Sequence, residues 1–393
     1  MKRHSILVLC LIAAGWSALG QSSVNALNKA NDIIGNVKND YAPDKRQAVF
    51  EVKAFNNPDG MLVLSGAVSD SLARKAVIER MNIADIDFAD SLSVLPYDDW
   101  AQVRLSVASL RTGGAHAAEM ATQALMGTPL RVLQKAKEWW RVQCPDGYIA
   151  WVPTSSVVSK TADELKDWRN SKRFIVTNLD QVRVYNSATA TSPRDIVSDL
   201  VNGCIVRIPA TTPHVENGRL EIELPDGRSG YVSSQALKPI EEWAAQNFNP
   251  DKILDTAYSL EGTPYLWGGT STKSLDCSGL AKVSYFANGI ILMRDASQQA
   301  QTGTRIEAKD WRRCHAGDLL FFGNAKTGKV THVAIYDHAG NYVHSSGRVK
   351  RNSVDPESES YLTTPFLHAV RINGMEETEG ITRARNHPWY FNR

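Results

Sequence analysis

An excess of charge of one sign is missing from this chain: 44 basic residues stand against 42 acidic ones, a formal net charge of +2. A balance so near neutral offers no electrostatic footprint for nucleic acid or for a polybasic membrane contact. Cysteine is scarce, five in 393 residues, and none of the five forms a CxxC pair or a Cys/His cluster with zinc spacing. That excludes a disulfide scaffold and a structural zinc site. Long hydrophobic runs are absent too. The longest is Ile6 to Ala14, nine residues, against the ~20 that a membrane-spanning helix needs.

That short run has the flanks of an export signal. Lys2, Arg3 and His4 precede it, and Ala18-Leu19-Gly20 follows as a small-x-small cleavage site that would leave Gln21 first. The expectation is an exported protein, periplasmic or secreted, with residues 1–20 removed and no membrane attachment afterwards. Cys10 would leave with the signal. Cys144, Cys204 and Cys314 then read as core residues, with one bridge among them left open.

What is present is ordinary globular material, 43% hydrophobic and 22% charged, enough for two to four domains at about 100–200 residues each. Residues 21–100 open on a polar stretch. Two alternating segments, Ala48–Ala54 and Met61–Val68, flank the turn Asn56-Asn57-Pro58-Asp59-Gly60 and read as a hairpin. A helix capped by Ser69 or Asp70 follows, with Leu72, Ala76, Ile78 and Met81 on its apolar face. This predicts a small β-β-α unit of no evident chemistry.

Residues 101–240 carry an internal repeat. Pro145-Asp146-Gly147-Tyr148-Ile149-Ala150-Trp151-Val152 returns 80 residues later as Pro225-Asp226-Gly227-Arg228-Ser229-Gly230-Tyr231-Val232. In each copy Asp-Gly marks a tight turn between short strands. Two small β-barrels are expected, residues 101–160 and 172–240, joined by a polar helix across Thr161–Arg173.

The character changes after residue 240. A helix over Asp251–Leu260 precedes the glycine-rich stretch Gly262-Thr263-Pro264-Tyr265-Leu266-Trp267-Gly268-Gly269. A second helix opens near Cys277, with Leu280, Val283, Phe286 and Ala287 on one face and Gly289 as its stop. Strands follow at Asp318–Phe322, His332–Tyr336 and Tyr342–His344, an α+β pattern. Cys277 in the first turn lies in the positive field of a helix N-terminus, which favours thiolate and supplies N–H groups for an oxyanion. A lone Cys there also fits a small buried apolar residue. A hairpin turning at His338-Ala339-Gly340-Asn341 would bring His332 and His344 together, so that one ring orients the other. Plain strand histidines and a metal pair are the other readings, the latter without a third ligand nearby.

These motifs resemble the NlpC/p60 family of papain-like cysteine peptidases. The resemblance runs from about residue 250 to 372, on the glycine-rich stretch, Asp276-Cys277-Ser278-Gly279, Gly317–Phe321 and His332–Tyr336. It implies a circularly permuted papain-like catalytic domain, residues 245–375, with Cys277 as nucleophile, His332 as base and His344 as third member, and no cofactor. The two barrels resemble bacterial SH3 domains. Together they are similar to the branch that cleaves γ-D-glutamyl bonds to a diamino acid, meso-diaminopimelate or lysine, in murein-derived peptides. In that branch the first SH3 domain closes one end of the groove, and substrates carry a free N-terminal L-alanine. The implied amine ligands are Asp295, Glu119 and Tyr148. Asp276, Ser278, Ser297 and Trp267 are implied to line the rest of the substrate site. An endopeptidase acting on intact wall and a non-catalytic wall-binding protein are the alternatives.

Overall fold

The computed structural model describes residues 24–209 and 215–392, in two compact units divided after Tyr97. The expected signal, residues 1–20, lies outside the described residues. Among the described residues no helix is long and apolar enough to cross a membrane.

The first unit is richer than the expected β-β-α. A helix spans residues 24–41, where a polar stretch was expected. Its inward residues Ala30, Ile34 and Val37 recur at helical spacing, and its polar remainder is the solvent face. The hairpin Phe50–Asn56 and Leu62–Val68 forms as expected. Asp70 caps the helix Ser71–Ile83, its Oδ1 accepting from Leu72 N–H at 2.8 Å. That helix buries Ala73, Ala76, Val77 and Met81, one residue round from the expected stripe, so Leu72 is exposed. It is a crossover: the strand Ala89–Val94 returns parallel to Leu62–Val68, making the unit α-β-β-α-β.

The second unit holds two antiparallel sheets and a helix-and-sheet body. A seven-stranded sheet runs over residues 100–160 around Leu110, Leu130, Val142 and Val152. An eight-stranded sheet runs over residues 173–239 around Val184, Leu200, Ile222 and Val232. Between them lies the helix Ala162–Asn170. Thr161 and Glu164 form its capping box, at 3.1 and 2.7 Å. The two repeated turns have the same construction. Cys144 N–H bonds Tyr148 O and Leu224 N–H bonds Arg228 O, both at 2.8 Å, across Gly147 and Gly227 at φ +83° and +85°.

In the remaining body a six-stranded antiparallel sheet has the order Thr304–Glu307, Phe366–Arg371, Leu319–Gly323, Val330–Tyr336, Asn341–Ser346, Arg348–Ser353. One face packs Val333, Ile335, Val343 and Val349 against Leu280, Ala281 and Tyr285 of the cysteine helix, Cys277–Phe286. The other face buries Leu320, Phe322, Ala334 and Tyr342. Two glycines bring the parts close. A Cβ on Gly279 would meet Gly269 O at 1.9 Å, so the glycine-rich loop rests directly on the first turn of the cysteine helix. Gly268, at φ +81°, would meet Met120 O at 2.7 Å and thus lets the strand Met120–Leu125 of the seven-stranded sheet reach the same loop.

Candidate active site

Cys277 opens its helix because Asp276 caps it. Asp276 Oδ1 accepts from Gly279 N–H at 2.7 Å, and Oδ2 accepts from Gly268 N–H at 2.9 Å, fixing loop and helix to one carboxylate. That carboxylate is buried and neutralised by buried Arg294, whose Nη2 lies 2.5 Å from Oδ2. Arg294 also donates to Ser278 Oγ at 2.7 Å and to Thr122 Oγ1, on the seven-stranded sheet, at 3.0 Å. Asp276 and Ser278 therefore spend their side-chain hydrogen bonds within the protein.

Cys277 is buried in the same core as Val333, so the start of the cysteine helix packs on the strand one residue from His332. His332 and His344 meet through their rings, Nε2 to Nδ1 at 2.7 Å. The hairpin register pairs Ile335 with Val343 and Tyr336 with Tyr342, so the two histidines are diagonal neighbours. His344 Nε2 lies 2.9 Å from Asn352 Oδ1, and Asn352 Nδ2 donates to Ser360 O at 2.8 Å.

This chain of contacts assigns the protons. The Ser360 carbonyl requires the Asn352 NH2, so Oδ1 faces His344 and accepts from Nε2–H. Nδ1 of neutral His344 is then an acceptor, His332 Nε2–H donates to it, and the lone pair of His332 is left on Nδ1. Asn352 has no local motif around it. Only its place opposite Tyr342 on the neighbouring strand brings it under His344.

The electrostatics differ from the expectation of a low thiol pKa. Burial pushes the Cys277 thiol up to about 11, and the Asp276 carboxylate adds to the rise. The Val333 N–H, Arg294 and the Ser278 N–H oppose it and are outweighed. Burial, His344 and Lys350 push His332 down to about 3, while Asp276 opposes. Burial pushes His344 down to about 4, with Asn352 opposing. The resting pair is thus a neutral thiol and a neutral imidazole, because a site this dry disfavours both charges.

Of the remaining expected residues, Tyr148 and Asp295 come together: the phenol donates to Asp295 Oδ2 at 3.4 Å, joining the first repeated turn to the segment after the cysteine helix. Asp295 also starts the short helix Ala296–Gln299, its own N–H donating to Gln298 Oε1 at 3.1 Å. Ser297 is half-buried in that helix. Glu119 is exposed at a strand end, its carbonyl accepting from Thr112 N–H at 2.9 Å, and its carboxylate is not part of the Tyr148–Asp295 bond. Trp267 is exposed beside the glycine contact with Met120. Tyr265, half-buried, has its phenol pushed up to about 12 by burial, by Cys277 and by Asp276. Cys144, Cys204, Cys277 and Cys314 are all buried free thiols.

A thiol at a helix N-terminus, set against a strand whose imidazole is oriented by a second imidazole and an amide, is the equipment of a cysteine hydrolase. The model of the NlpC/P60 family matches residues 262–371, and that of the bacterial dipeptidyl-peptidase Sh3 domain matches residues 110–157. Over 233 residues the chain is 35% identical to the gamma-D-glutamyl-L-lysine dipeptidyl-peptidase of Bacillus subtilis, spanning 57% of this chain and 71% of that one. It is 26% identical over 263 residues to the protein of the same name in Bacillus cereus, spanning 64% and 74%. A solved NlpC/P60 family protein from Bacillus cereus shares the fold, with a TM-score of 0.58, 21% identity, and coverage of 70% of this chain and 99% of that one. The chain belongs to the NlpC/P60 family and is a cysteine peptidase, with an SH3-like domain ahead of its catalytic domain.

Proposed function

We propose that this enzyme hydrolyses the γ-D-glutamyl–diamino-acid bond of murein-derived peptides that keep a free N-terminal L-alanine. The observation that carries the reading is the Tyr148–Asp295 contact. A carboxylate and a phenol brought together from two distant parts of the chain form an acceptor set for an ammonium group, which is costly to bury unpaired. Glu119 stands on the same sheet as a further acidic group for that amine. The names of the Bacillus relatives support the same bond. We read the cysteine helix ahead of the histidine strand as the circularly permuted papain-like order, residues 173–239 as a second SH3-like domain, and residues 1–20 as an export signal.

In the reaction, His332 Nδ1 takes the Cys277 proton as the sulfur bonds to the γ-glutamyl carbonyl carbon. The helix N-terminal amide of Cys277 or Ser278 stabilises the oxyanion. The C–N bond breaks, and the His332 proton goes to the departing amine. Water, losing a proton to the same nitrogen, hydrolyses the thioester and restores the thiol. Asp276, Ser278, Ser297 and Trp267 shape the groove around the glutamyl unit.

The test is mass spectrometry of products from L-Ala-γ-D-Glu-diaminopimelate and from its N-acetyl form. The free peptide should be cut about a hundredfold faster, because a pocket built for hydrogen bonds rejects a ligand that leaves them unmade. Equal rates would discard the amine pocket in favour of an enzyme for intact wall. Full activity of Cys277→Ala would discard the thiol mechanism.

A further inference from the structure

The two sides of the proposed amine pocket come from distant parts of the chain, Tyr148 and Asp295, and one side chain holds both. Lys282, on the cysteine helix, donates to Asp146 Oδ2 at 2.6 Å and to Leu292 O at 2.8 Å. Asp146 is two residues before Tyr148, and its other oxygen accepts the Tyr148 backbone N–H at 3.0 Å. Leu292 is three residues before Asp295. The ion pair is enclosed, with the side chains 16% and 7% exposed, so neither solvent nor salt screens it strongly.

The other bonds of the turn, Cys144 N–H to Tyr148 O at 2.8 Å and Gln143 Nε2 to Gly147 O at 3.0 Å, are internal to it and do not tie it to the catalytic helix. Asp146, Lys282, Cys144 and Leu292 line a cavity of about 80 Å³ beside the turn. On its outer side His387 Nε2 donates to Pro145 O at 2.9 Å.

The repeat supplies an internal comparison. In the second copy Asp226 is engaged by its own turn, through Arg228 Nε at 2.9 Å, and by Arg104 of the seven-stranded sheet at 3.0 Å. In the first copy a tyrosine replaces that arginine, and Asp146 turns to the catalytic helix instead. The same exchange supplies the phenol that meets Asp295.

We propose that Lys282 and Asp146 are positioning residues that set the spacing between Tyr148 and Asp295, and with it the enzyme's preference for a free amino terminus. This rests on the amine-pocket reading above. Neither residue touches the scissile bond, so the effect falls on discrimination between substrates more than on turnover.

The test compares kcat/KM for the free tripeptide and its N-acetyl form in the full-length enzyme, for wild type, Lys282→Met, Lys282→Arg and Asp146→Asn, each checked for folding by its melting transition. Asp146→Asn keeps the shape of the side chain and an acceptor, so it serves where Lys282→Met fails to fold. The free-to-acetylated ratio should fall at least tenfold in Lys282→Met and Asp146→Asn, through KM for the free peptide, and Lys282→Arg should recover most of it. A wild-type preference that both disruptive variants keep would overturn the positioning role and leave the pocket standing. A wild type without preference would overturn the pocket and this inference together.

Discussion

Replacing Asn352 with alanine tests the proton assignment that the mechanism needs. Its Oδ1 accepts from His344 Nε2 at 2.9 Å, and its amide is held by Ser360 O at 2.8 Å. His344 is 1% exposed, so water cannot readily take over as acceptor. Losing the acceptor costs about 1–3 kcal/mol for a buried donor left unpaired. The ring can escape that cost by moving its proton to Nδ1. It then donates to His332 Nε2 across the 2.7 Å contact, and His332 must carry its own proton on Nδ1, the atom that should receive the proton of Cys277.

Every molecule in that tautomer is inactive until it reverses, so the penalty appears in kcat. At 1.36 kcal/mol per tenfold, the expected loss is about 5- to 160-fold with KM for the tripeptide nearly unchanged. Asn352→Asp should behave differently. A carboxylate still accepts from Nε2–H, so the tautomer survives, but its charge stabilises the imidazolium and moves the acid limb of the kcat/KM profile to higher pH. Steady-state kinetics from about pH 2.5 to pH 9 on variants folded across that range decides the matter. Unchanged kcat in Asn352→Ala, or an acid limb that falls in Asn352→Asp, would refute the assignment.

Two further outcomes follow from the burial of the site. Alkylation of Cys277 by iodoacetamide, measured against Cys277→Ala, should keep climbing with pH above 8.5, since the thiolate fraction grows only as pH approaches the raised value of about 11; a plateau below pH 7 would contradict the neutral resting pair. Stability should fall as pH drops below about 6.5, because the unfolded chain then binds protons that His344, held down to about 4, does not. From His344 alone the loss by pH 5 is about 2 kcal/mol, read as a shallower pH slope of urea unfolding in His344→Gln than in wild type.

The parts of this molecule that local chemistry dictates were readable from the sequence. The cysteine helix has its capping aspartate, apolar stripe and terminal glycine within fourteen residues, and the histidine hairpin has its turn in the chain between its strands. The helix over residues 24–41 escaped because its polar side masks three small or branched inward residues. Arg294, Lys282 and Asn352 carry no signal of their own. Each gains meaning only from a partner on another element, as when Thr122 meets Arg294 across 172 residues. The thiol's high pKa is a property of enclosure, and a helix-terminus argument that omits desolvation gets its sign wrong.

Asp276 faces a conflict that explains why the SH3-like domain reaches so far into the site. As a cap it holds the cysteine helix open at Gly279 and ties down Gly268, and it draws unpaired N–H groups into order. As a buried anion next to the nucleophile it opposes thiolate formation. Removing it would loosen the helix terminus that the proposed mechanism assigns to the oxyanion, so the charge must be offset where it stands. Arg294 does this, and a buried guanidinium needs its own acceptors to stay in place. Ser278 provides one from the catalytic domain, and Thr122 provides the other from the strand Met120–Leu125. The same strand fixes the loop from the opposite side, with Thr270 N–H donating to Gln123 Oε1 at 2.9 Å. The SH3-like domain therefore bears on Cys277 through the linked contacts of Thr122, Arg294 and Asp276. Its docking and the reactivity of Cys277 are one electrostatic problem.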